Sequence, residues 1–335
     1  MIRFANIISG LIAGMILLSS CNDKKDDSPF AEIFSRPSYK GLTDSIRQDP
    51  TRDDLYFRRA VLLNKDDFPE PALADFRKAW ALKKEEKYAF GISTILLGKN
   101  PDSAIVFLDQ ALRELPQSVL LGISLSRAYE AQNRTKEALE IANAILEKHP
   151  EQVDLLKIKA ELLAKTGDGE AAVSTLEKAY ALTPFDIELN HMLAFRYAET
   201  KNRRVLDLCD SLIRMDSLGI HADPYYYKGI YYSNINDKKK ALALFDEAIR
   251  HDYNFLDAHI EKGIVLFEQK KFNDAYTAFN LAMTISPKYA DAYYWMAKSQ
   301  QAMGQKEEAR LNYLRAYGLD KSLAQAKAAA DSLDK

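Results

Sequence analysis

Any catalytic or metal centre in this chain would have to draw on 5 histidines, 2 cysteines and 48 acidic residues among 335. Histidine-based metal sites need imidazoles one helical turn apart or cysteine pairs at short spacing, and neither His-x3-His nor Cys-x2-Cys occurs. His251 and His259 are near neighbours in sequence, but a helix exit and the next helix entry separate them. Thr166-Gly167-Asp168-Gly169 has the composition of a calcium or phosphate loop, yet it lies between two predicted helices and reads as a turn. No Gly-x-Ser-x-Gly, Walker or His-Glu-x-x-His pattern is present, and Ser, His and Asp show no arrangement that would activate a nucleophile. A non-enzymatic protein is therefore expected, with no cofactor and no metal. The 46 basic residues nearly balance the acids, for a net charge of -2, so nothing argues electrostatically for nucleic acid.

The residues that recur serve packing. In Leu256–Tyr289 a first helix carries Gly263 and Leu266 on one face, a second carries Ala275, Phe279 and Ala282, and Pro287 closes the unit. Small residues let two backbones approach while Leu266 and Phe279 fill the remaining space. A lone helical hairpin cannot bury that face, so it needs neighbours of the same kind. This order of small and large residues resembles the tetratricopeptide repeat, whose period is 34 residues. The resemblance implies an all-α fold, a right-handed superhelical solenoid of about eight helical hairpins with capping helices.

The register extends both ways. Ala222–Phe255 and Ala290–Leu323 flank the reference unit without gaps. A second run covers Glu85–Ser118, Val119–Gln152 and Val153–Asp186, closed by Pro116, Pro150 and Pro184, which fall in phase where a helix has to stop. Asp53–Lys84 fits a first repeat through Tyr56, Ala60, Leu63, Ala72, Phe76 and Ala79. Ile187–His221 departs from the pattern: Val205, Cys209 and Leu212 match a second helix only if the preceding turn loses a residue, and residues around Leu218-Gly219-Ile220 restore the phase. The array then spans 53–323, with a capping helix within 35–52 and a polar terminal helix at 324–335. Cys209, among Leu206, Leu208 and Leu212, is expected to be a small buried apolar residue.

Residues 1–20 carry Arg3 and an apolar run from Ile7 to Leu18, too short for a spanning helix, which needs roughly 20 apolar residues. They read as a signal peptide. Leu18-Ser19-Ser20-Cys21 resembles the lipobox of bacterial lipoproteins, which implies acylation of Cys21, by palmitate among other chains. Residues 21–34 read as a polar flexible tether, and Lys25-Asp26-Asp27 resembles the signal that sends some Gram-negative lipoproteins to the outer face of the outer membrane. An outer-membrane lipoprotein facing periplasm or cell surface is the expectation.

In tetratricopeptide-repeat families the first helices line the concave face. Carried onto this sequence, the resemblance implies a groove that becomes apolar and aromatic in its C-terminal half, through His191, Phe195, Tyr226, Ile230, Ile260, Ile264, Phe267, Tyr294 and Lys298. Such a strip is larger than a surface normally leaves uncovered and suits a segment of another protein. Acids at the second position of most repeats (Asp54, Glu86, Asp154, Glu188, Asp223, Asp257, Asp291) are read as helix N-terminal charges, each contributing about 0.3–1 kcal/mol. The resulting expectation is a lipid-anchored scaffold or adaptor for a protein partner, serving envelope assembly or secretion. Capture of a glycan or small ligand, and self-association through the aromatic block, remain open as alternatives.

Overall fold

The computed structural model describes residues 28–216 and 218–334. The proposed signal peptide and Cys21 lie outside the described residues. Among those described there are nineteen helices and no strand. The chain divides into two compact units, one up to Ile92 and one from Ser93 onward.

The first unit holds α1 (Ala31–Phe34), α2 (Pro37–Gln48), α3 (Asp53–Lys65), α4 (Pro69–Leu82) and the first half of α5 (Glu86–Lys99). Ala60, Leu63, Ala72 and Ala79 are fully buried where α3 meets α4. A charged pair lies in the same interior: Arg59 donates from Nε and Nη2 to both Asp75 oxygens, at 2.6 and 2.8 Å, and from Nη1 to Thr43 Oγ1 at 2.9 Å. The Phe34 ring covers that guanidinium at 3.7 Å. Removing one partner of such a pair leaves a buried charge uncompensated, at a cost of about 3–5 kcal/mol. Residues 31–34, expected to belong to the tether, are instead helical and carry Phe34, buried over Arg59.

The second unit continues as α6 (Pro101–Glu114), α7 (Val119–Ala131), α8 (Thr135–Lys148), α9 (Val153–Lys165), α10 (Gly169–Leu182), α11 (Ile187–Glu199) and α12 (Arg204–Met215). It ends with α13 (Asp223–Asn234), α14 (Lys238–His251), α15 (Leu256–Glu268), α16 (Phe272–Ile285), α17 (Ala290–Ala302), α18 (Lys306–Leu319) and α19 (Ala324–Leu333). Each helix packs on its sequence neighbours, so the interior is a series of adjoining clusters, one running from α9 to α15, the next from α15 to α17 and the last from α17 to α19. This is the packing of a helical-hairpin solenoid. The closest approach within a hairpin depends on glycine: a Cβ on Gly263 would stand 2.4 Å from the Phe279 ring.

Every hairpin turn but the one between α5 and α6 repeats one backbone device. Asn133, Gly167, Lys201, Asn236, Lys270 and Gly304 all have positive φ, as does Asp67 in the first unit. The following N–H returns to a carbonyl in the last turn of the first helix, as in Asp237 N to Tyr232 O at 2.8 Å and Lys271 N to Leu266 O at 3.0 Å. That bond pattern is a left-handed helix cap, which satisfies carbonyls the helix end would otherwise orphan.

The irregular repeat takes its phase change in the first turn of α12. Val205 N bonds Asn202 O and Leu206 N bonds Arg203 O, three-residue spacings where α10 and α14 begin with four-residue ones. A tightened turn advances the helix face by part of a residue. Val205, Cys209 and Leu212 consequently point inward. Here α11 and α13 also pack directly on each other, more extensively than other successive first helices do. Burial pushes the Cys209 thiol up to about 12, which keeps it protonated and inert.

Candidate functional site

Where α11 meets α13 a cavity of about 410 Å³ opens between α9, α11, α13 and the start of α15. Its walls are rings in sequence of contact: His191 and Phe195 each lie 5.9 Å from Tyr227, Tyr227 lies 5.9 Å from Tyr226, and Tyr226 lies 4.9 Å from Phe255. Met192 completes the apolar lining, while Glu161, Glu188, Asp223, Asp257 and Arg196 stand at its polar parts. The helical spacing explains the grouping: Glu188, His191, Met192 and Phe195 fall on one face of α11, and Asp223, Tyr226 and Tyr227 on the facing side of α13.

Burial governs the titratable groups here. It lowers the His191 pKa below the usual imidazole range, outweighing the opposing influence of Asp223, so the ring is neutral at pH 7. Nδ1 of that ring lies 3.3 Å from the Tyr227 hydroxyl. Burial likewise raises the Tyr226 and Tyr227 phenols, with carboxylates adding to it: Glu261 and Asp257 for Tyr226, Asp223 for Tyr227. Glu188 is held by Lys157 at 2.6 Å, and Asp257 accepts from the Tyr289 hydroxyl at 2.6 Å. Arg196 contacts Glu199 at 2.5 Å and leans over the Phe195 ring.

The nine expected groove residues divide into several groups. His191 and Phe195 are half-buried and line the cavity. Tyr226 lines it too, but at 9% exposure its ring belongs mostly to the core, against Phe245 and Phe255. Ile264 lines a second, more polar depression with Ser233, Lys238, Glu261 and Glu268. Ile230 packs on the core between α9 and α15. Ile260 does not offer a binding surface: at 6% exposure it is enclosed in the cluster between α15 and α17, because the next first helix covers that face. Phe267, Tyr294 and Lys298 gather around Trp295, with the Lys298 ammonium 4.2 Å from its ring.

Met192, Arg196, Tyr227 and Phe255 were not expected in the site, and Asp223 and Asp257 were expected only as helix-end charges. The recurring second-position acid was the available signal, since that position faces the same side as the groove residues. Two of the histidines outside the cavity make structural contacts: His251 stacks on Tyr225 at 4.5 Å and meets Gly219 O at 2.7 Å, and His259 meets Tyr253 O at 2.9 Å. Among the described residues no three His, Cys, Asp or Glu side chains are grouped to hold a metal ion, and no helix is long and apolar enough to cross a membrane.

Comparison with known proteins identifies the architecture. Two family models, both described as tetratricopeptide repeat, match residues 96–162 and 266–329 and residues 227–290, together just over half of the chain. Anaphase-promoting complex subunit 7 of Arabidopsis thaliana is 25% identical over 191 residues, 55% of this chain and 34% of that protein. The TPR repeat-containing protein YpiA of Bacillus subtilis (strain 168) is 30% identical over 152 residues, 43% of this chain and 35% of that one. The chain spans about a third of the length of these curated relatives. A tetratricopeptide repeat protein from Parabacteroides merdae ATCC 43184 superposes with a TM-score of 0.63 at 18% identity, covering 74% of this chain and 98% of its own. By these matches and by its hairpins, the chain belongs to the tetratricopeptide-repeat family.

Proposed function

We propose that this protein is a non-enzymatic, lipid-anchored scaffold that holds a segment of a protein partner along its first-helix face between α11 and α17. The observation that carries the reading is the ring-lined cavity, which leaves half-buried aromatic surface open on that face. The name of the plant relative, a subunit of a complex, supports a protein as partner. Lipid anchoring rests on Leu18-Ser19-Ser20-Cys21 at the end of an apolar run, and placement at the outer membrane, facing periplasm or cell surface, rests on the resemblance of Lys25-Asp26-Asp27 to a lipoprotein sorting signal. Envelope assembly or secretion is the setting in which such an anchored scaffold would act.

The test joins capture to location. The full chain, cross-linked in Gram-negative cells and purified, is expected to bring down a discrete partner that Phe195→Ala with Ile264→Ala releases while thermal unfolding changes little. Tyr226→Ala does not suit this test, since emptying a largely buried ring site costs about 3–5 kcal/mol of stability. Cys21→Ser is expected to move the protein out of the membrane fraction. Capture unaffected by the paired substitution would sink the scaffold reading, and unchanged membrane fractionation would sink the anchor.

A further inference from the structure

We infer that the cavity between α9, α11, α13 and α15 receives the guanidinium of an arginine carried by the bound segment, an assignment that rests on the scaffold reading. Its walls and its charges call for the same ligand. Phe195, Tyr227, Tyr226 and Phe255 form a continuous aromatic lining, and the faces of such rings attract cations. His191 adds no positive charge at neutral pH, because burial lowers its pKa.

The carboxylates exceed the cations. Of the lining acids Glu188 has Lys157, Asp257 accepts from the Tyr289 hydroxyl and Asp223 from the Tyr227 hydroxyl, and among the described residues neither Glu161 nor Asp223 has a cationic salt-bridge partner. Arg196, the one cationic side chain of the lining, is already engaged by Glu199. An anionic ligand would therefore meet repulsion from most of the polar rim. The Tyr226 hydroxyl supplies a separate indication. It belongs to a side chain more than nine-tenths buried, lines the cavity, and among the described residues has no hydrogen-bond partner.

A guanidinium meets these demands together. Its plane stacks on a ring, and its five N–H donors form a fixed fork suited to carboxylate and phenol oxygens, both of which the lining offers. An ammonium is a more strongly hydrated point charge with three donors and satisfies fewer of them.

The probe is the blocked pentapeptide acetyl-Gly-Gly-Arg-Gly-Gly-amide, titrated against the full chain by ligand-observed NMR beside its citrulline and lysine counterparts. Citrulline keeps the shape and removes the charge. Arginine is expected to bind about tenfold tighter than citrulline, with lysine between them, and added salt should narrow the gap. Glu161→Gln with Asp223→Asn is expected to weaken the arginine peptide about tenfold, and Tyr226→Phe about threefold, with melting temperatures near that of the parent. Failure of the arginine peptide to bind, equal binding of arginine and citrulline, equal binding of arginine and lysine, or indifference to the acid substitutions each overturns the assignment. If the cross-linked partner is released by the Phe195 and Ile264 substitutions but not by the acid pair, the scaffold reading stands and this one falls. If no partner is captured, the scaffold reading falls and the peptide titration still decides the chemistry of the cavity.

Discussion

Glu261 on α15 is a half-buried acid placed among others. Burial first, then Asp257 and Glu268, push its carboxyl up to about 7, with Lys238 opposing. In the unfolded chain a glutamate titrates near 4.3. The folded state therefore keeps a proton that the unfolded state has released, and stability falls as pH rises between those two values. Glu261→Gln preserves the size and removes the charge, so its melting temperature should gain on the parent's steadily from about pH 4.5 to pH 7. Parallel profiles would show that the carboxyl is not strained by its neighbours. Part of the parent's slope should survive in the variant, since burial, then Asp320 and Asp257, raise Asp291 in the same direction. None of this was legible in the sequence. The carboxylates around Glu261 come from both ends of its own helix, and its opposing cation comes from α14; one-dimensional spacing does not rank such distances. The same limit misplaced Ile260, whose position on the helix suits a groove but whose face the next first helix covers.

At the scale of the element, the hairpin turns concentrate backbone strain at one position. Lys270 holds φ 61° and Lys201 φ 58°, where Gly167 and Gly304 occupy the equivalent place in other repeats. A side chain in the left-handed region costs about 1–2 kcal/mol, and glycine's greater unfolded-state freedom returns part of that. Lys270→Gly is therefore expected to raise stability by about 1 kcal/mol, read as a higher urea midpoint at unchanged slope. A lower midpoint would mean that the lysine side chain contributes a contact outweighing the strain. The hairpins themselves were readable because their signals are local: Pro116, Pro150 and Pro184 fall in the loops that follow α6, α8 and α10, and Ala275 and Ala282 are buried where small residues were required. The tight first turn of α12 was only half readable. The displaced trio Val205, Cys209 and Leu212 reveals that the phase shifts, but whether a turn shortens or a helix tightens is a choice of hydrogen-bond partner that residue types leave open.

In the molecule as a whole, stability has no central core to draw on, because each hairpin of the second unit covers only its neighbours and the last one needs a lid. That lid is α19: Ala326 and Ala330 are buried against a cluster containing Ala309, Tyr313 and Ala316 of α18, and Arg310 reaches Asp334 at 3.0 Å. Its opposite face carries exposed polar and small residues and offers no further apolar surface. A chain truncated after Asp320 leaves the α18 face bare. Nearest-neighbour coupling predicts that amide exchange then accelerates in α17 and α18, while α7 to α10 keep their protection. The uncovered Tyr313 face should also pair between molecules, giving a mass that rises with concentration in sedimentation. Uniform loss of protection along the unit would mean that it folds as one cooperative body, and retained protection in α18 with a constant mass would mean that α19 is not the element that closes the stack.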